Sequence, residues 1–264
     1  MKIHLLAIDC QNDFCNPKGN LFVPGADDDM SRLSKFINRV EKKIDRIHAT
    51  LDSHKVMQVF HPAFWINSKN EHPNAFTVIT ADDVKKGVWQ TTLMGLRTRG
   101  VDYVEALSAR GRYPLVIWPY HCLIGSWGHA LIPSVSDAII QWEKNRKRMA
   151  DYCVKGDFYF SEHYGALEAE VPAPEEPNTM LNTRLIKALQ EADVLLIAGE
   201  ALSHCVKATV EQVADSFGDE NIKKFVLLED CCSSVGSFEN IGKNFISDMV
   251  KRGMRIERST DYLA

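Results

Sequence analysis

The chain has 264 residues, of which 45% are hydrophobic and 25% charged, and its formal net charge is −4. This length suits one large domain, or one domain that carries a sizeable insertion. The mildly acidic balance gives no electrostatic reason to expect nucleic acid or an anionic membrane as a partner. No apolar run approaches the roughly 20 residues that cross a bilayer, and the opening MKIHLLAIDCQNDF lacks the apolar core of a secretory signal.

The seven cysteines are an odd number and lie far apart along the chain, without a C-x-x-C pair. This spacing disfavours both a secreted disulfide scaffold and a structural zinc knuckle. We therefore expect a cytoplasmic protein with reduced thiols.

Short apolar runs alternate with helix-like stretches along the chain. Strands are predicted, in chain order, at 3–8, 46–52, 113–119, 151–156, 193–200 and 223–230. Helices are predicted at 30–44, 182–192, 203–217 and 238–253. This alternation predicts an α/β fold, a three-layer α/β/α sandwich with a mostly parallel central sheet. In such sheets a ligand site lies outside the carboxyl ends of the strands.

Residues 61–112 interrupt the alternation. They contain Trp65 and Trp89, several prolines and glycines, and little periodicity. We interpret residues 1–264 as a single domain with an insertion at about 61–112. The apolar and aromatic content of this insertion favours a lid over the site or a contact in a homo-oligomer.

Three titratable side chains follow three separate predicted strands. Asp9 closes the first strand, Lys155 closes the fourth, and Cys205 begins the helix after the fifth. A carboxylate at the mouth of a sheet is partly desolvated and can accept a proton. A nearby ammonium and a helix N-terminus both favour a thiolate. The set predicts nucleophilic catalysis by Cys205, although each residue alone has an ordinary structural explanation.

Asp52 and His54 form a D-x-H pair at another strand end, and His121 follows the predicted third strand. One carboxylate and two imidazoles, with water in the remaining positions, can bind zinc, iron or manganese. The histidines at 72, 129 and 163 have no such setting, and we interpret them as ordinary residues.

Five stretches, AIDCQNDF, TLDSH, WPYHC, VKGDFYFSEHYGALEA and AGEALSHCVKATV, occur in this order. Together they resemble the nicotinamidase branch of the isochorismatase-like cysteine hydrolases. The resemblance implies Cys205 as nucleophile, Asp9 as base and Lys155 as their cationic partner. It implies Asp52, His54 and His121 as ligands of one divalent metal ion, with zinc favoured over iron or manganese and His61 as a candidate additional ligand.

The resemblance also implies an oxyanion hole and a substrate pocket. The amides of Ala201 and Cys205 would receive the oxyanion, with a cis peptide bond between Glu200 and Ala201. The aromatic residues expected against the substrate ring are Phe14, Trp118 and Tyr159, with Tyr164 as the alternative to the last. The implied reaction converts nicotinamide and water to nicotinic acid and ammonia through a Cys205 thioester, as part of NAD salvage.

Several departures from the family pattern concern the substrate. The segment DSHK lacks the family's aromatic residue between the ligands, a glutamate stands at position 200 where an aliphatic residue is usual, and residues 61–112 are extra. An amidase or N-carbamoyl hydrolase acting on another small amide is the alternative within the superfamily. A non-catalytic small-molecule-binding or partner-binding relative, and a redox protein sensing through Cys231 and Cys232, are the alternatives from other classes.

Overall fold

The computed structural model describes residues 1–263. The strands are β1 (Ile3–Ile8), β2 (Arg46–Asp52), β3 (Trp65–Ile66), β4 (Val78–Ile79), β5 (Gln90–Thr91), β6 (Leu115–Val116), β7 (Asp151–Lys155), β8 (Val194–Gly199), β9 (Phe225–Leu228) and β10 (Arg255–Glu257). The α-helices are α1 (Asn12–Cys15), α2 (Ala26–Val40), α3 (Ala81–Lys85), α4 (Arg97–Arg110), α5 (Pro133–Arg146), α6 (Thr183–Gln190), α7 (Lys207–Phe217) and α8 (Glu239–Lys251). A π-helical turn, Leu202–Val206, leads directly into α7.

The central sheet has six strands in the order β10-β9-β8-β1-β2-β7, and every neighbouring pair is parallel. Every residue of β1 and β8 is buried, which suits strands covered by helices on both faces. Helices α2 and α5 pack against each other, as do α6 and α7. The predicted α/β fold with a mostly parallel sheet is thus confirmed.

Two strand predictions differ from the structure. The predicted strand 113–119 shrinks to β6, which pairs antiparallel with β4 outside the central sheet. Pro114 and Pro119 flank it, and proline cannot donate a ladder hydrogen bond. The sixth strand of the central sheet is instead β10, a three-residue edge strand. Its shortness and partial exposure leave no apolar run for a sequence pattern to reveal.

Residues 61–112 contain more regular structure than their pattern suggests. They form β3, β4 and β5, the short helix α3 and the 14-residue helix α4, which sequence analysis missed. A glycine at position 100 weakened the helical pattern of α4. The structure gives this glycine a packing reason, since a Cβ there would lie 2.7 Å from Thr91 Cγ2. The single domain with an insertion stays a prediction.

Within residues 1–263, no helix combines the length and apolar character needed to cross a membrane. The seven cysteines are all buried and unpaired. Cys231 and Cys232 form no disulfide with each other.

Candidate active site

Four predicted site residues converge at the carboxyl ends of the central strands. Asp9 follows β1, Asp52 ends β2, Lys155 ends β7, and Cys205 lies in the π-helical turn after β8. Parallel strands end at the same edge of a sheet, so residues about 200 positions apart in sequence meet there. All four side chains are buried.

The ammonium of Lys155 is the centre of this cluster. Its Nζ lies 3.0 Å from Asp9 Oδ2 and 2.9 Å from Asp52 Oδ1. It also donates to the carbonyl oxygen of His163 at 2.9 Å and lies 3.7 Å from Cys205 Sγ. One carboxylate oxygen of Asp9, one of Asp52 and the sulfur of Cys205 all lie within 4.8 Å of one another. Because the positive ammonium of Lys155 lies among these atoms, we interpret the set as a charge cluster and not as a metal site.

The electrostatics of the cluster favour a thiol with a base beside it. Burial raises the pKa of the Cys205 thiol well above its ordinary value, although Lys155 opposes this shift. Burial likewise raises the pKa of Asp9 against the opposing effect of Lys155. Burial works against the charge of Lys155, but ion pairs with Asp52 and Asp9 outweigh it and raise the pKa of Lys155 well above its usual range. The ammonium therefore stays charged, and a carboxyl with a raised pKa is suited to accept the thiol proton.

Thr50 fixes the orientation of Asp9. The Thr50 hydroxyl donates to Asp9 Oδ1 at 2.5 Å and accepts a hydrogen bond from the Asp9 amide at 3.0 Å. Asp9 has a φ of 47°, in the left-handed region that few non-glycine residues adopt. The other oxygen of Asp9 is thereby left facing Lys155.

Asp52, His54 and His121 also meet, as predicted, with ligand atoms within 4.8 Å of one another. His54 Nε2 lies 2.8 Å and His121 Nε2 3.7 Å from Asp52 Oδ2. Burial alone would raise the pKa of Asp52, but His54 and Lys155 hold it well below its ordinary value. The ionised carboxylate has one oxygen turned to Lys155 and the other to the histidines.

Three histidines share the same orienting contact. Each bonds a backbone carbonyl oxygen through Nδ1: His54 to Gly156 at 3.1 Å, His61 to Lys55 at 2.9 Å and His121 to Pro119 at 2.8 Å. A carbonyl can only accept, so each Nδ1 carries a proton and Nε2 is the ring atom left to face a ligand. At His54 this Nε2 lies 2.8 Å from the carboxylate of Asp52, which raises the pKa of His54 against the lowering effect of burial. This outer contact is typical of histidines that ligate metals.

His61 fits the same pattern, although its ring lies farther out. Its ring centroid is 5.7 Å from those of both His54 and His121. Its Nε2 is buried and has no hydrogen-bond partner among residues 1–263. Burial lowers the pKa of His61 to about 2, so the ring is neutral and able to donate its lone pair. The donor set of a carboxylate and imidazoles fits a divalent metal ion such as zinc.

Gly156 allows the two halves of the site to approach. Its φ is +83°, and a Cβ there would lie 2.9 Å from both Asp52 Oδ1 and His54 Cε1. Any side chain at this position would push the carboxylate of Asp52 and the imidazole of His54 away from β7. The glycine that follows Lys155 is therefore a requirement of the site.

The predicted cis peptide bond between Glu200 and Ala201 is present. Ala201 lies outside helices and strands, and its amide has no acceptor among residues 1–263. Ala201 and Cys205 both line the cavity above the charge cluster. A free amide beside the sulfur can receive an oxyanion.

Part of the predicted aromatic set lines the cavity. Phe14 and Trp118 line it, but Tyr159 does not, since its ring packs between Phe158 and Phe160. Tyr164 lines the cavity instead, and its hydroxyl accepts a hydrogen bond from Trp118 Nε1 at 3.0 Å. Cavity residues that sequence analysis missed are Leu21, Glu162, His204 and Val235.

Glu162 brings the only carboxyl group among these four residues. Burial raises the pKa of its carboxyl to about 7, with the charge of His54 opposing that shift. The carboxyl accepts a hydrogen bond from the His163 amide at 3.0 Å. Its place in the loop after β7, at the ligand-binding edge of the sheet, was the available signal.

Comparisons with known proteins agree with this geometry. No protein-family model matches the chain. The nicotinamidase of Saccharomyces cerevisiae is 26% identical over 211 residues, which are 80% of this chain and 81% of that protein. The structure of the yeast nicotinamidase matches with a TM-score of 0.65 and 19% identity, covering 96% of this chain and 98% of that one.

The pyrazinamidase of Pyrococcus horikoshii, solved in complex with zinc, matches with a TM-score of 0.58 and 18% identity. That match covers 98% of this chain and 99% of the other. The fold is shared along nearly the whole chain, and the sequence similarity extends over most of it. These findings show that the chain is similar in sequence to a nicotinamidase and shares the fold of solved nicotinamidases and pyrazinamidases.

Proposed function

We propose that this chain is a metal-dependent cysteine amidohydrolase that converts nicotinamide and water to nicotinic acid and ammonia. The observation that carries the proposal is a buried cluster in which Lys155 Nζ lies 3.7 Å from Cys205 Sγ and 3.0 Å from Asp9 Oδ2, next to an aromatic cavity that Cys205 lines. Packing does not require three ionisable groups there. The similarity to the yeast nicotinamidase supports nicotinamide as the substrate.

In the proposed first half-reaction, Asp9 takes the proton of Cys205 as the sulfur attacks the carboxamide carbon. Lys155 stabilises the negative charge of the sulfur and of the carboxylate. The amides of Ala201 and Cys205 receive the oxyanion of the tetrahedral intermediate. Asp9 then returns the proton to the departing nitrogen, ammonia leaves, and a thioester remains.

In the second half-reaction, Asp9 removes a proton from water, which attacks the thioester carbon. The C–S bond breaks, the thiol of Cys205 recovers its proton, and nicotinic acid is released. Phe14, Trp118 and Tyr164 hold the ring between apolar walls and exclude bulk water from the intermediate.

Asp52, His54 and His121 would hold the metal ion, for which we propose zinc. When bound, the ion supplies a Lewis acid that holds the ring nitrogen and orients the amide towards Cys205. The buried and unpartnered Nε2 of His61 supports a fourth ligand at this position.

We further propose that the protein acts in the cytoplasm as a homo-oligomer and contributes to NAD salvage. Its expected ligand is a small amide substrate, and we expect it to bind neither nucleic acid nor a membrane.

The direct test is incubation of the purified, zinc-loaded chain with nicotinamide, with nicotinic acid and ammonia measured separately. We expect the two products in equal amounts. Benzamide, which has the same shape but no ring nitrogen, should be turned over at least about 100-fold more slowly, because it lacks the group that the metal orients. If the chain released ammonia only from an aliphatic amide or an N-carbamoyl compound, that compound and not nicotinamide would be its substrate.

The metal site makes a separate prediction. Replacing His121 by alanine should reduce the bound zinc, measured by mass spectrometry of the dialysed protein, to less than about one-tenth of the wild-type content. His72→Ala, at an exposed histidine, is the matched control and should keep its zinc. Equal zinc in both variants would contradict the assignment of His121.

The role of His61 is tested by the affinity of the protein for zinc rather than by its zinc content. His61→Ala should weaken zinc binding about 10- to 100-fold in competition with a chromophoric chelator. An unchanged affinity would restrict the site to Asp52, His54 and His121.

A further inference from the structure

A second pair of buried carboxyl groups lies at the start of the oxyanion segment, which we define as residues 200–205. Glu200 follows β8 and is fully buried, and Asp29 lies on α2 with 3% of its surface exposed. Neither belongs to the charge cluster around Lys155. A buried carboxyl group is costly unless its oxygens are paired, so this pair needs a physical explanation.

Glu200 joins the oxyanion segment to residues 233–235, the loop that follows β9. Its Oε2 accepts a hydrogen bond from the Ser233 amide at 3.0 Å. Asp29 Oδ2 accepts one from the Ser233 hydroxyl at 2.6 Å. The two carboxyl groups therefore hold the same loop residue by its backbone and its side chain.

The pair is compatible with burial if Glu200 is protonated. Burial raises the pKa of Glu200 well above its usual range, and the nearby Asp29 carboxylate, which hydrogen-bonds it, raises it further. Glu200 Oε1 receives no donor from residues 1–263, as expected for the oxygen that carries the proton. The charge of Asp29 is balanced by Arg32, whose Nη2 lies 2.6 Å from Oδ1.

The 233–235 loop is bonded to the oxyanion segment at two further points. The Leu202 amide donates to the Ser233 carbonyl oxygen at 2.8 Å, and the Val235 amide donates to the Ser203 hydroxyl at 3.1 Å. Val235 lines the same cavity as Cys205. The segment that carries the nucleophile and the loop that forms a cavity wall are therefore fixed to each other.

We propose that Glu200 is a positioning residue whose buried carboxyl group, together with Asp29, clamps the 233–235 loop to the oxyanion segment. The inference rests on the proposed function, because positioning matters for catalysis only if Ala201 and Cys205 receive an oxyanion. Glu200 touches no reacting atom. Its loss should therefore affect the transition state more than the binding of substrate.

The test compares two replacements of similar size. Glu200→Gln keeps a neutral donor for Asp29 and an acceptor for the Ser233 amide, whereas Glu200→Leu keeps neither. We expect kcat of the glutamine variant to stay within about threefold of wild type, and kcat of the leucine variant to fall about 10- to 100-fold with KM changed less than about threefold. In hydrogen exchange, the amides of Leu202, Ser233 and Val235 should exchange faster in the leucine variant only.

If Glu200→Leu does not fold, Ser233→Ala removes only the hydroxyl that donates to Asp29, leaves Asp29 paired with Arg32, and should fold. A reduced kcat in that variant supports the clamp, and a wild-type kcat overturns it. Inactive wild-type protein would refute the proposed function, while the exchange rates would still decide whether Glu200 holds the loop. Wild-type exchange and wild-type kcat in Glu200→Leu would overturn the inference alone.

Discussion

Replacing Cys205 by alanine is expected to lower kcat for nicotinamide hydrolysis by at least about 10⁴-fold, because no other group can form the thioester. The variant should still fold, since the change removes one buried sulfur and no charge. It should also still bind nicotinamide, because Phe14, Trp118 and the metal ligands remain. Ammonia release measures the first effect, and calorimetric titration measures the second.

Cys153→Ala is the matched control for this experiment. Cys153 is also a buried thiol, but its sulfur contacts Asn182 Nδ2 at 3.5 Å and does not line the cavity. Its alanine variant should keep a kcat within about threefold of wild type. Turnover by Cys205→Ala comparable with this control would refute the thioester mechanism.

Replacing Lys155 by methionine should reduce both activity and stability. The substitution keeps most of the side-chain volume but leaves the carboxyl groups of Asp9 and Asp52 buried without their ammonium. Removing one partner of a buried ion pair costs about 3–5 kcal/mol of the free energy of unfolding. We expect a loss in this range by urea titration of the metal-free protein, and a fall in kcat of about 10³-fold.

The pH dependence distinguishes this effect from a loss of packing. A buried carboxyl that has lost its cation takes up a proton, so the deficit in stability should shrink as the pH is lowered from about 8 to about 5. Lys144→Met, at an exposed lysine on α5, should match wild type at both pH values. A deficit independent of pH would mean that Lys155 contributes packing rather than charge.

The sequence was most informative where long apolar strands end in a polar residue. Asp9, Asp52 and Lys155 follow or end β1, β2 and β7, and their meeting at one edge follows from parallel pairing alone. Cys205 could be added because β8 is equally apolar. The convergence of these four residues was therefore predictable.

His121 reached the site for a reason that the sequence did not reveal. It was predicted to follow a strand of the central sheet, but β6 lies outside that sheet. Its position depends on tertiary contacts of the next residues: Asp13 Oδ2 accepts the Cys122 amide at 2.6 Å, and Leu123 forms a bridge with His54. Such contacts leave no periodic pattern.

The irregular loop after β7 explains why sequence analysis placed Tyr159 in the cavity, where the structure has Tyr164. Residues 156–176 contain no helix or strand, so no period of 2 or 3.6 indicates which side chains face the cavity. The tertiary hydrogen bond with Trp118 selects Tyr164. The same absence of pattern concealed Glu162, whereas Glu200 was noticed only as an unusual residue because its partner, Asp29, is 171 positions away in sequence.

The carboxylate of Asp52 is shared, with Oδ1 on Lys155 and Oδ2 on His54. The cluster around Lys155 and the histidine cluster therefore interact electrostatically through one carboxylate. A change of the cation in the proposed metal site would change the charge on the carboxylate that pairs with Lys155, and with it the electrostatic potential at the Cys205 sulfur. In the proposed enzyme, the choice of metal and the reactivity of the nucleophile are therefore linked through Asp52.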